Sequence, residues 1–72
     1  MDINEAMKTC LSNGIKVYPK DKNRLFHVAI EENGKTPKIG KQSYSTRTIN
    51  KAIINSWVLI AELIIKNNNK NR

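Results

Sequence analysis

The sequence predicts an α+β domain in the order α-β-β-β-α: a three-stranded antiparallel sheet, a long C-terminal helix on one face, and a short N-terminal helix. Three observations predict it. Apolar residues recur at helical spacing near both ends of the chain. Between them, the segments around Val17 and Val28 alternate apolar and polar residues, as half-buried strands do. Asn33-Gly34 separates the second of these from Lys35–Ile39, and an Asn-Gly pair is the strongest short hairpin signal.

The first helix is read over residues 2–12. Ile3, Ala6, Met7, Cys10 and Leu11 form one stripe, Asp2 and Glu5 resemble a capping box, and Gly14 supplies the stop. The first strand covers 15–19 and is expected to end at Pro19, with Lys20-Asp21-Lys22-Asn23 as a charged turn. The second strand covers 24–31. Phe26, Val28 and Ile30 face one way; Leu25, His27, Ala29 and Glu31 face the other. A two-residue Asn33-Gly34 loop would place Ile30 opposite Pro37 and Val28 opposite Ile39, with Lys16 and Lys38 on the face away from the helix. Pro37 marks an edge strand, and Gly40 a bulge before Tyr44.

The last helix is capped by Ser45 or Thr46 and runs to about Lys66. Residues 1–66 therefore form one domain, and residues 67–72 are expected to be a disordered polar tail. This helix is more apolar than one sheet requires. Ile49, Ile53, Ser56, Trp57, Ile60 and Ile64 form one stripe, and Ile54, Val58, Ala61 and Ile65 a second. The N-terminal helix can cover the second stripe, a subunit or partner can, and both can hold, since an eleven-residue helix is short for the whole stripe. Where a subunit or partner takes part, Ile54, Val58, Ala61 and Ile65 are an interface, and a homodimer is expected.

The chain has 72 residues and a formal net charge of +7. A domain this small buries only about 60% of its unfolded surface, so its stability margin is thin. Cys10 is the only cysteine, which excludes an internal disulfide and suits a reducing compartment. No cofactor is expected, and no metal, because Cys10, His27 and the scattered carboxylates lack ligand spacing. Catalysis is not expected either. His27 has no nucleophile beside it, and the six acids (Asp2, Glu5, Asp21, Glu31, Glu32, Glu62) form no acid/base pair. There is no secretory signal pattern and no apolar run long enough for a membrane, so the expected location is the cytoplasm, or a virion if phage-encoded. Ten Lys, ten Asn and ten Ile reflect AT-rich coding, as in a low-GC bacterium or its phage.

The charge is unevenly placed. No Asp or Glu occurs from Asn33 through Ala61, a stretch that holds Lys35, Lys38, Lys41, Arg47 and Lys51. Lys16, Lys20, Lys22 and Arg24 precede it, with Tyr18 and His27 interleaved. Cations with planar rings on an open sheet suit a phosphate backbone and stacked bases. The expected function is low-specificity nucleic-acid binding, DNA before RNA, through these eleven residues. The rival partner is an acidic protein surface. On that reading the chain is a protein-interaction module, such as a phage inhibitor of a host enzyme or a minor virion component, docked through the apolar C-terminal helix.

Several of these residues carry a family resemblance. Gly14-Ile15, Arg24-Leu25-Phe26-His27-Val28-Ala29-Ile30, Asn33-Gly34-Lys35, Ile39-Gly40 and Tyr44-Ser45-Thr46 leading into Ala52 make about two-thirds of the chain similar to the small sheet-plus-helix modules of the AP2 and phage-integrase arm type. That resemblance implies DNA contact through the sheet, although Lys here replaces the family's Arg and Trp. The α-β-β-β-α order is also similar to a double-stranded-RNA-binding domain. Gly40-Lys41, Arg47, Lys51 and Ala52 echo that family's last-helix motif, without its Lys-Lys pair. Pur-type single-strand binders share the helix-on-sheet plan and dimerise.

Overall fold

The computed structural model of the chain describes residues 1–70. Its elements are α1 (Ile3–Ser12), β1 (Ile15–Lys22), β2 (Leu25–Glu32), β3 (Lys38–Ile39) and α2 (Ile49–Lys70). The strands form one antiparallel sheet in the order β1-β2-β3. The α-β-β-β-α architecture is thus the one the sequence pattern predicts.

Asp2 precedes α1 in extended backbone but makes no side-chain cap, so the capping box does not form. At the other end Asn13 and Gly14 return their amides to Cys10 and Leu11, and Gly14 takes φ +76°. The carbonyl of Gly14 then accepts from the Asn33 amide at 2.7 Å. The left-handed φ of Gly14 favours glycine at this junction between α1 and the far hairpin, and a Cβ there would push the Asn33 side-chain amide aside.

β1 is longer than the sequence suggested. It runs through Pro19 to Lys22, with Pro19 opposite Val28. β1 is a sheet edge, where alternate amides point away from the ladder, so proline's missing N–H is tolerated. Of the expected charged turn, Lys20-Asp21-Lys22 is strand, and Asn23 with Arg24 forms the two-residue turn that closes it. Both residues lie in the left-handed region, at φ +54° and +68°, as a type I′ turn requires.

The β2–β3 register differs by one residue from expectation. Asn33-Gly34 does turn, with positive φ at both residues and the Lys35 amide bonded to the Glu32 carbonyl. However, Ile30 pairs with Lys38 and Ala29 with Ile39, rather than Ile30 with Pro37 and Val28 with Ile39. Pro37 has no amide to donate, and the chain takes up one extra residue between Lys35 and Lys38 before pairing resumes. A second displacement follows Gly40. The Gly40 amide bonds the Val28 carbonyl, whereas Tyr44 pairs with Phe26, so four residues advance on one side against two on the other.

The core lies between the sheet and the two helices. Ala6, Cys10, Val17, Trp57 and Ala61 are buried together, with Ile15, Val28, Ile30, Ile53 and Ile60 packed against them. The Cys10 thiol donates to the Trp57 carbonyl at 3.4 Å. Burial raises the Cys10 pKa by desolvating its thiolate. α1 therefore covers much of the second stripe of α2. Ala61, expected at an interface, is fully buried, and Val58 packs on the core; only Ile54 and Ile65 of that set stay exposed.

The entry to α2 is a turn over residues 46–48. The Ser45 carbonyl accepts from Thr48 and Ile49, and Thr48 Oγ1 accepts the Ser45 amide at 3.0 Å. The helix continues through Asn67-Asn68-Asn69-Lys70, which contain neither Gly nor Pro to stop it. The expected polar tail is helical as far as Lys70, and its last two residues lie outside the described residues. No described helix is long and apolar enough to cross a membrane.

Candidate nucleic-acid interface

Strand alternation and pairing decide which side chains share a face. On the face away from α2, Lys16 stands opposite Glu31, Tyr18 opposite Ala29, Lys20 opposite His27, and Lys22 opposite Leu25. Ile39 joins this face beside Ala29. The helix face takes Ile15, Val17, Pro19 and Asp21 from β1, and Phe26, Val28, Ile30 and Glu32 from β2. In Lys20-Asp21-Lys22, alternation therefore sends both lysines to the open face and the aspartate to the other.

The result is a row along β1: Lys16, Tyr18, Lys20 and Lys22. At about 3.4 Å per residue it spans about 20 Å. The three lysines are exposed, and Tyr18 is half-buried. Beside it, Ala29 is fully buried without belonging to the main core cluster. It is the floor of a small apolar patch on the open face, flanked in register by Tyr18 and Ile39, with Leu25 two rungs away. Leu25 and Ile39 are 43% and 39% exposed.

His27 is held in place. Its Nδ1 lies 2.8 Å from the Gly40 carbonyl, and a carbonyl only accepts, so Nδ1 carries the hydrogen. Nε2 is then left as the ring's other polar atom, on the same face as Lys20 and Lys22. The bond also ties β2 to the chain leaving β3, which steadies the floor of the face.

Arg24 ends the row at the hairpin tip, in a backbone region that costs a non-glycine residue about 1–2 kcal/mol. Of the eleven residues expected to contact nucleic acid, Lys16, Tyr18, Lys20, Lys22 and His27 are thus brought together, with Arg24 at one end. The rest are not in this row. Lys38 is corrected: paired with Ile30, it belongs to the helix side of the sheet, because the residue taken up around Pro37 inverts β3. Lys35 follows the second turn, and Lys41 and Arg47 are exposed in the segment between β3 and α2. Lys51 lies in the first turns of α2.

Two features were not read from the sequence. Ile39 belongs to the open face, which only the shifted register reveals. Leu59 and Leu63 of α2 are 63% and 53% exposed, yet they fall in neither helical stripe. Their signal was present, since with Ala52 they recur at helical spacing on a third side. Among the described residues no cluster of His, Cys, Asp or Glu is arranged to hold a metal. No protein-family model matches the chain, and no curated protein or solved structure matches it significantly.

Proposed function

We propose that this protein binds the backbone of nucleic acid through the open face of its sheet, with little sequence specificity. The observation that supports the reading is the row Lys16-Tyr18-Lys20-Lys22, with His27 and Arg24 beside it, on a face no helix covers. The lysines supply point charges for phosphates, and binding gains from counterion release. Tyr18, over the Ala29 floor and beside Ile39, supplies a flat surface for a sugar or base. The face offers no bidentate set of Arg, Asn and Gln for base edges, so the affinity is mainly electrostatic. Glu31, opposite Lys16, weakens the charge at one end, so the strongest contact is placed at Lys20, Lys22 and Arg24. The resemblance to AP2-type modules points the same way, because those modules also meet DNA with their sheets.

The test is fluorescence anisotropy with labelled single-stranded DNA, duplex DNA and duplex RNA at several salt concentrations. The proposal expects micromolar or tighter binding whose logarithm falls linearly with log salt. Absence of binding at low salt would end it.

A further inference from the structure

β3 pairs over only two residues, so the sheet stops short of covering the flank of α2 that faces it. Three depressions of about 310–320 Å³ each lie along that flank. Tyr44 and Ser56 line both the first and the second, and Ile30 and Lys38 both the second and the third, so the three run together. The floor is Val28, Ile30, Ser56 and Ile60, and Leu59 forms one wall. From Lys51 to Ile60 the groove follows α2 for about 14 Å, and Leu63, exposed one turn beyond Leu59, lies just past its lining.

The rim is basic. Lys51 stands on the helix side, and Lys38 and Lys35 on the strand side, against the single carboxylate of Glu32. A second copy seated here about a two-fold axis would bring two like-charged lysine rims together, on chains of charge +7 each. An acidic partner meets the same rim with opposite charge. We infer that this groove docks an acidic amphipathic helix of about three turns, supplied by a partner protein, with its apolar side on Leu59 and Leu63 and its carboxylates toward Lys35, Lys38 and Lys51. The site is on the side of the molecule opposite the lysine row, and it stands or falls separately from the nucleic-acid reading.

The probe is a fluorescein-labelled, side-chain-stapled peptide helix with leucines at i, i+4 and i+7, glutamates beside them toward the lysine rim and alanines on the outer face, measured by anisotropy against the full chain. Leu59→Gln with Leu63→Gln should weaken binding about tenfold or more. Lys38→Glu with Lys51→Glu should weaken it comparably, and a lysine-for-glutamate version of the probe should not bind. Both leucines are exposed, so the variant keeps its circular dichroism and melting temperature. Lys16→Gln with Lys20→Gln and Lys22→Gln should leave peptide affinity within about twofold while lowering nucleic-acid affinity. The inference is overturned by any of three results: no peptide binding, peptide binding lost with the open-face lysines instead of the leucines, or sedimentation showing a homodimer that Leu59→Gln with Leu63→Gln dissociates.

Discussion

Replacing Lys16, Lys20 and Lys22 together by glutamine turns the open-face reading into a number. If each lysine and Arg24 meets one phosphate, the native chain makes four contacts from this row. For a single strand each contact contributes about 0.7 to the slope of log affinity against log salt, so the native slope is about −2.8. From 50 to 200 mM salt that is a loss of about fifty-fold. The triple variant keeps Arg24, so its slope falls to about −0.7 and its loss to about two- to threefold. With duplex DNA the slope change for the three lysines is about 2.7 rather than 2.1, which separates the two ligand types. The side chains are exposed, so the melting temperature should hold. The assay is anisotropy at five or so salt concentrations for both proteins. Equal slopes for native and variant would refute the argument, whatever the absolute affinities, because the slope counts phosphates and not folding defects.

Lys38→Glu alone tests the inverted register. It should change nucleic-acid affinity far less than Lys20→Glu, whereas equal losses would mean that Lys38 shares the lysine row. Arg24→Gly relieves a left-handed residue at φ +68° and should stabilise the fold by about 0.5–1 kcal/mol, after allowing for glycine's greater freedom when unfolded, raising the melting temperature by roughly 2–8 °C while weakening nucleic-acid binding. Gly14→Ala puts an L side chain at a φ of +76°, with the Asn33 side chain free to move aside, and should cost roughly 1–2 kcal/mol in a urea titration. Cys10 should resist thiol reagents in the folded protein and react on unfolding. Because burial raises its folded pKa above the ordinary 9.0, the unfolded thiol ionises first, so its contribution is intact below pH 9.0 and declines as pH rises beyond it. Cys10→Ala should lose that part of the alkaline decline, read as a smaller fall in urea midpoint with pH.

Much of this protein was legible in its sequence because the signals were local. The stripe of Ile3, Ala6, Met7 and Cys10, the alternation from Leu25 to Glu31, and the Asn33-Gly34 turn each arise from neighbours a few residues apart. They sufficed for the element order, for the apolar stripes that hold Cys10 and Trp57, and for Lys16, Tyr18 and His27 as candidates on the open sheet. Where the reading erred, a single residue type was given more weight than its setting. Pro19 looked like a strand end, yet an edge position tolerates it. The turn expected at Lys20-Asp21-Lys22-Asn23 is narrowed to Asn23-Arg24: arginine seldom takes positive φ, yet pairing of the flanking strands holds Arg24 there.

Only the tertiary structure decided what a one-residue shift around Pro37 does to β3. Side chains alternate with a period of two, so that shift moved Lys38 away from the lysine row and brought Ile39 into it. The fate of the surplus apolar surface on α2 was likewise a matter of packing. The sequence determined that one sheet face was not enough to cover it. The placement of α1 over Ala61 and the shortness of β3 then determined that the surface left over is greatest at Leu59 and Leu63, with Ile54 and Ile65 also exposed, since burial depends on which elements meet and not on the pattern of any one of them.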